Sequence, residues 1–230
     1  MRRLYFQGRT ILILQRAFSI ENYLWLIYMP DAETSPKIGN YSPDMKRLLS
    51  RAASLNSYYE KDFDISFSSL LLSFLVSDDL VSQWFQNYVK QAGINVQNIL
   101  EERGLDRRII DDIADTAPSP LQSHLRMTNS AKRFLQAAEE LNQRLAGPGD
   151  DRPLDVSHLM AVFIYSPWVH EKDLIRWGFN RADWSNKFLI LMSSLHRREM
   201  AFWWDLHRVT FGEEPEDRLD EASANRGTIT

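Results

Sequence analysis

Histidine is the side chain best suited to acid–base or metal chemistry near neutral pH, and this chain of 230 residues has five, His124, His158, His170, His196 and His207. Helical metal sites space their ligands as H-E-x-x-H or E-x-x-H, which puts both on one helix face, and neither spacing occurs here. The chain has no cysteine, so thiolate ligands and disulfides are excluded, and no metal or cofactor is expected. Ser157 and His158 offer a hydroxyl beside an imidazole, but neighbours on a helix diverge by about 100° and do not converge on one another. The acidic pairs Asp111 with Asp112 and Glu139 with Glu140 fail as a general acid and base for the same reason. None of the nine glycines opens the G-x-x-x-x-G-K-[ST] loop that cradles phosphates. The sequence therefore reads as a non-enzyme.

The elements that position these residues follow one plan twice. Met45, Leu48, Leu49 and Ala52 fall at i, i+3, i+4 and i+7, and so do Ala131, Phe134, Leu135 and Ala138, which predicts an amphipathic helix in each half. Ser42 with Pro43 begins the first of these helices and Thr128 begins the second. A further helix follows in each, with Leu70, Leu71, Phe74 and Leu75 matching Leu159, Met160, Phe163 and Ile164, and with Ser66 and Asp155 as equivalent N-caps. Gly147, Pro148, Gly149 and Pro153 lengthen the loop before the second copy of that helix. Third helices end at Gly93 and Gly178, where glycine takes the left-handed conformation, and Asn95 and Asn180 cap fourth helices.

This pattern predicts an all-α fold of two tandem pseudo-symmetric four-helix repeats, spanning 42–105 and 128–212, the second including an extended C-terminal helix that ends near Gly212. Residues 106–127 read as a linker, with Ala117, Pro118, Ser119 and Pro120 as its helix-stopping cluster. Residues 9–41 form an N-terminal extension in which Thr10 to Gln15 suits a strand or a helix equally. Residues 1–8 end in LYFQG, which resembles the remnant of a tag-cleavage site and is set aside. Residues 213–230 are acidic and poor in large apolar side chains, the composition of a flexible tail or linker to further domains of the same polypeptide.

Composition bounds the partners. Hydrophobic residues make up 44%, enough for an ordinary core, while a net charge of −4 with interspersed signs offers no basic face for nucleic acid. Gln15, Arg16, Glu21 and Asn22 interrupt the longest apolar stretch, so no membrane span is expected, and cytoplasm is the default location. Trp168, Trp177, Trp84 and Phe85 read as core. Phe202, Trp203 and Trp204 lie beyond the second repeat and either pack against the apolar segment Arg9–Met29, the favoured reading, or form a secondary interaction face.

The order of motifs resembles the double Clp N-terminal repeat of Clp-type AAA+ unfoldases. Leu154, Asp155, Val156, Ser157, His158 and Leu159 match its second-helix motif best, and Ile65, Ser66, Phe67, Ser68, Ser69 and Leu70 keep the frame with Ser69 in place of histidine. The turns at Gly93 and Gly178 fit as well, so the resemblance covers about two thirds of the chain. It implies a non-catalytic protein- or peptide-binding module, a chaperone's substrate- or adaptor-docking domain or a sensor fused to another effector. Some relatives read phosphoarginine with a carboxylate just before the histidine. Ser68 and Ser157 occupy those positions here, so that ligand is not implied. On this resemblance Ser68, Ser69, Ser157 and His158 are the candidate peptide- or adaptor-docking residues. Alternatives from other classes are an oligomerisation scaffold and a small-molecule sensor or helical enzyme.

Overall fold

The computed structural model describes residues 40–59, 64–102, 104–116, 126–146, 151–166 and 171–212. The tag-like start, the N-terminal extension before Asn40, the Ala117–Pro120 cluster, Gly147 to Gly149, His124, Trp168, His170 and the acidic tail lie outside them. The described residues are all-α, with ten helices and no strand. They are α1 (Pro43–Tyr59), α2 (Phe67–Ser73), α3 (Leu80–Gln91), α4 (Val96–Glu102), α5 (Arg107–Asp115), α6 (Asn129–Ala146), α7 (Val156–Tyr165), α8 (Glu171–Arg176), α9 (Arg181–Leu195) and α10 (Met200–Phe211). A 3₁₀ turn, Arg197–Glu199, joins the last two. No described helix is long and apolar enough to cross a membrane.

The helices begin where side chains can satisfy the orphan N–H groups of a first turn. Ser42 Oγ accepts from the Met45 N–H at 3.1 Å, and Thr128 Oγ1 accepts from the Ala131 N–H at 3.3 Å. Asp79 accepts from both the Ser82 N–H, at 3.0 Å, and its hydroxyl, at 2.6 Å. Asn180 accepts from the Ala182 and Asp183 amides. At the other ends, Gly93 and Gly178 have φ of 65° and 91°, and each lets the following N–H reach back five residues, Ile94 to the Val89 carbonyl and Phe179 to that of Leu174. These two turns touch, since a Cβ on Gly178 would lie 3.8 Å from Ile94 Cγ1.

Between the helices, two pieces of extended backbone cross from one half of the chain to the other. The stretch before α1 pairs in parallel with the stretch before α7: the Ser42 N–H donates to the Leu154 carbonyl at 2.9 Å and the Leu154 N–H to the Asn40 carbonyl at 2.8 Å. The stretch before α2 pairs with the one before α6, through Ile65 N–H to Arg126 O at 2.8 Å and Thr128 N–H to Ile65 O at 2.9 Å. These pairs set α1 against α2 and α6 against α7, with the four meeting over a common centre. There Phe67, Phe134 and Phe163 lie with ring centroids 4.7 to 5.2 Å apart, and Phe74 meets Phe163 edge-on at 6.0 Å. A second aromatic cluster, Phe85, Tyr88, Phe179 and Trp184, joins α3 to the start of α9.

Two local features depart from the sequence reading. Part of the stretch read as a linker is helix α5, which buries Ile110 and Ile113 and packs on α1. The Arg51 guanidinium, itself buried, donates to the carbonyls of Ile113, Ala114 and Thr116 and so caps the negative end of α5. Helix α2 stops at Ser73, and Phe74 to Val76 continue as i→i+3 turns. Ser73 and Ser77 explain it, because their hydroxyls bond to the Leu70 and Ser73 carbonyls and compete with the helical ladder. Helix α10 ends at Gly212, with φ of 73°, as its sequence predicts.

Phe163 is fully buried at the centre of the first cluster, so Phe163→Ala should cost about 3 to 5 kcal/mol by urea denaturation. Leu80 is 56% exposed, and Leu80→Ala should change stability by less than about 0.5 kcal/mol. Equal effects of the two would contradict this placement of the core.

Candidate functional site: two helix starts and a polar cluster

The four candidate docking residues do sit at the starts of α2 and α7, but they face inward. Ser69 and Ser157 have no exposed surface, His158 is 1% exposed and Ser68 6%. Ser69 and His158 serve the backbone. At α2 the Ser66 N–H donates to Ser69 Oγ at 2.8 Å while Ser66 Oγ accepts from the Ser69 N–H at 3.2 Å, a reciprocal capping box. At α7 the Asp155 N–H donates to His158 Nδ1 at 3.2 Å, and the Asp155 carboxylate accepts from the start of the helix, including the Ser157 N–H at 3.0 Å. Ser69 and His158 thus hold the same third-residue position in two capping boxes. All four side chains are enclosed as placed, and the bonds of Ser69 and of His158 Nδ1 go to the backbone of their own helix starts.

The α7 cap dictates the protonation of His158. A ring nitrogen that accepts an N–H must carry a lone pair, so the imidazole is neutral with its proton on Nε2. The His158 pKa is lowered to about 4, first by burial and also by nearby His196, with Asp155 and Glu199 opposing the shift. Its Nε2 has no hydrogen-bond partner among the described residues.

Beside this start lies a polar cluster that no sequence spacing announces. Ser157 Oγ is 3.3 Å from His196 Nε2, and His196 Nδ1 is 3.1 Å from Glu199 Oε2. Arg152 donates to Glu199 Oε1 at 2.5 Å and to the Leu145 carbonyl at 3.0 Å. The cluster therefore ties the end of α6, the start of α7 and the end of α9. The order hydroxyl, imidazole, carboxylate is the one that activates a nucleophile. Here Ser157 is wholly buried, and Glu199 Oε2, although close to His196, is not aligned to accept a hydrogen bond from it. As placed, the cluster braces the fold.

No family model, curated protein or solved structure matches the chain. Its chemistry must be read from its own residues. Among the described residues no group of three or more His, Asp or Glu is placed to hold a metal ion.

The secondary candidate face divides. Trp203 is fully buried, edge-on to Phe188 at 6.0 Å and 6.5 Å from His196, so it packs α10 onto α9. Phe202 and Trp204 are half-buried against the same core. Sequence reading also missed Arg181, which donates to the Ile164 and Ser166 carbonyls at the end of α7, and Ser185, which joins Tyr165 Oη at 2.8 Å and His207 Nδ1 at 2.7 Å. The first is a helix-end cation twinned with Arg51; the second is a buried triangle that burial makes costly to break.

Since Ser157 lies in the core, Ser157→Glu should reduce stability by about 3 kcal/mol or more through an unpaired buried charge. Exposed Ser193→Glu should stay within about 0.5 kcal/mol. A stable Ser157→Glu protein would return the α7 start to the surface.

Proposed function

We propose that this chain is a non-catalytic protein- or peptide-binding module built from two tandem pseudo-symmetric four-helix repeats, similar to the Clp N-terminal domain that docks substrates or adaptors for an unfoldase. The observation that carries this reading is reciprocity. The stretch before the first helix of one half pairs with the stretch before the second helix of the other, and the converse pair, Ile65 with Met127, repeats it. Two unrelated halves have no reason to exchange equivalent segments; two copies related by a twofold axis do. Three further equivalences support it: the capping boxes of α2 and α7, the glycine turns at Gly93 and Gly178, and the inward phenylalanines Phe74 and Phe163.

A domain whose histidine, serine and acidic groups are committed to caps and braces is suited to presenting a shape. Recognition in this reading rests on the outer faces of the helices, and the buried α2 and α7 starts hold those faces in register. The absence of a carboxylate before His158 makes phosphoarginine a poor ligand.

Two measurements test the reading. An experimental structure should superpose 42–105 on the start of 128–212 with Leu70 over Leu159 and Phe74 over Phe163. Calorimetric titration of the purified chain with an unfolded model polypeptide should give saturable binding that free phosphoarginine does not compete, with no nucleotide hydrolysis above buffer. Turnover of a small molecule that is lost on mutating a residue of this chain, or no binding to any unfolded polypeptide, would overturn it.

A further inference from the structure

The two capping boxes occupy equivalent places and differ in one respect: the third residue of α2 is a serine, which does not titrate, and that of α7 is a histidine, which does. We propose that the start of α7 is an acid-sensitive latch, in which protonation of His158 breaks the cap and releases the end of α9 and the start of α10 while α2 stays closed.

Geometry carries the argument. His158 Nδ1 accepts the Asp155 N–H, and a protonated imidazole has no lone pair with which to do so. Protonation therefore abolishes the bond outright and places a cation in a site that is 1% exposed. The groups facing this ring come from every element around it. Asp155 precedes it on its own helix, His196 sits at the end of α9 with ring centroids 5.9 Å apart, and Glu199 lies in the 3₁₀ turn with Arg152 paired to it. Asp155 in turn acts on Asp79, the cap of α3, and Trp203 of α10, beside His196, does not titrate. His196 places its Nε2 against the Ser157 hydroxyl and its Nδ1 beside the Glu199 carboxylate. Protonation of His158 therefore puts a cation against the His196 ring at the junction of α7 and α9.

The sign follows from the depressed affinity of His158 for a proton in the closed state. An exposed histidine titrates near 6.5 and the closed one at about 4, so the latch is at full strength above pH 6.5. As pH falls from 6.5 to 4 the open state takes the proton preferentially. The opening constant then rises by about 80-fold between pH 6.5 and pH 4, out of roughly 300-fold between the limits well above 6.5 and well below 4.

Hydrogen exchange with mass spectrometry on the full chain between pH 7 and pH 4, with exchange times scaled for the intrinsic rate at each pH, tests this. Peptides from 156–165 and 196–211 should lose protection together as pH falls, while those from 67–73 keep theirs. His158→Gln supplies a third-residue acceptor that does not titrate, and should hold α7 closed down to pH 4. Parallel loss at α2 and α7, or a wild-type pH profile in His158→Gln, would overturn the proposal. If that variant does not fold, NMR titration of the wild-type histidines decides: His158 should titrate well below 6.5 and together with the α7 amides. A normal His158 titration, or one with no change in those amides, would sink it.

Discussion

Four backbone hydrogen bonds, made by Ser42, Ile65, Thr128 and Leu154, hold the rest of this structure in place. Each belongs to an extended stretch immediately before a long-range helix, and each finds its partner in the other half of the chain. An amide buried without a partner costs about 1 to 3 kcal/mol, so these stretches cannot drift apart while the core stays closed. The direction in which α1, α2, α6 and α7 leave the crossing is thereby fixed. The phenylalanine cluster lies at their centre, where the four helices meet.

That constraint explains where the polar side chains went. A helix start driven into a core brings unpaired N–H groups with it, and short hydroxyl, carboxylate and imidazole side chains are the nearest acceptors. Ser66, Ser69, Asp155 and His158 meet that need at the two central starts, and Arg51 and Arg181 meet the opposite need at two helix ends. Residue types that look reactive in a sequence are here the means by which backbone is buried. The small apolar cleft lined by Leu72, Phe85, Val89, Ile99 and Phe179 offers no polar group for chemistry.

What the sequence made legible was local. The spacing of Met45, Leu48 and Leu49 marks a buried helix face, and Ser66, Asp155, Asn180, Gly93 and Gly178 mark ends, because a cap or a left-handed turn is decided within five residues. The all-α class follows from these. Helix α5 was passed over because its charged residues dominate a short stretch in which only Ile110 and Ile113 face the core. The contact of Ser157 with His196 spans thirty-nine positions, and nothing in one sequence pairs them. Trp203 is a different case: the aromatic run of α10 reads as surplus until it is seen to cover α9. The burial of Ser68, Ser69, Ser157 and His158 was not legible either, since an amphipathic pattern says which face is apolar and not that a polar cap residue will be enclosed with it.

The crossing makes the two halves one cooperative unit, and native-state hydrogen exchange in increasing denaturant measures that directly. The amides of Ser42, Ile65, Thr128 and Leu154 should exchange only through global opening, all four merging on one free energy with the same denaturant dependence. If the Ser42 and Leu154 amides opened at a free energy well below that of Ile65 and Thr128, the halves would be separable and the crossing would not hold them as one unit.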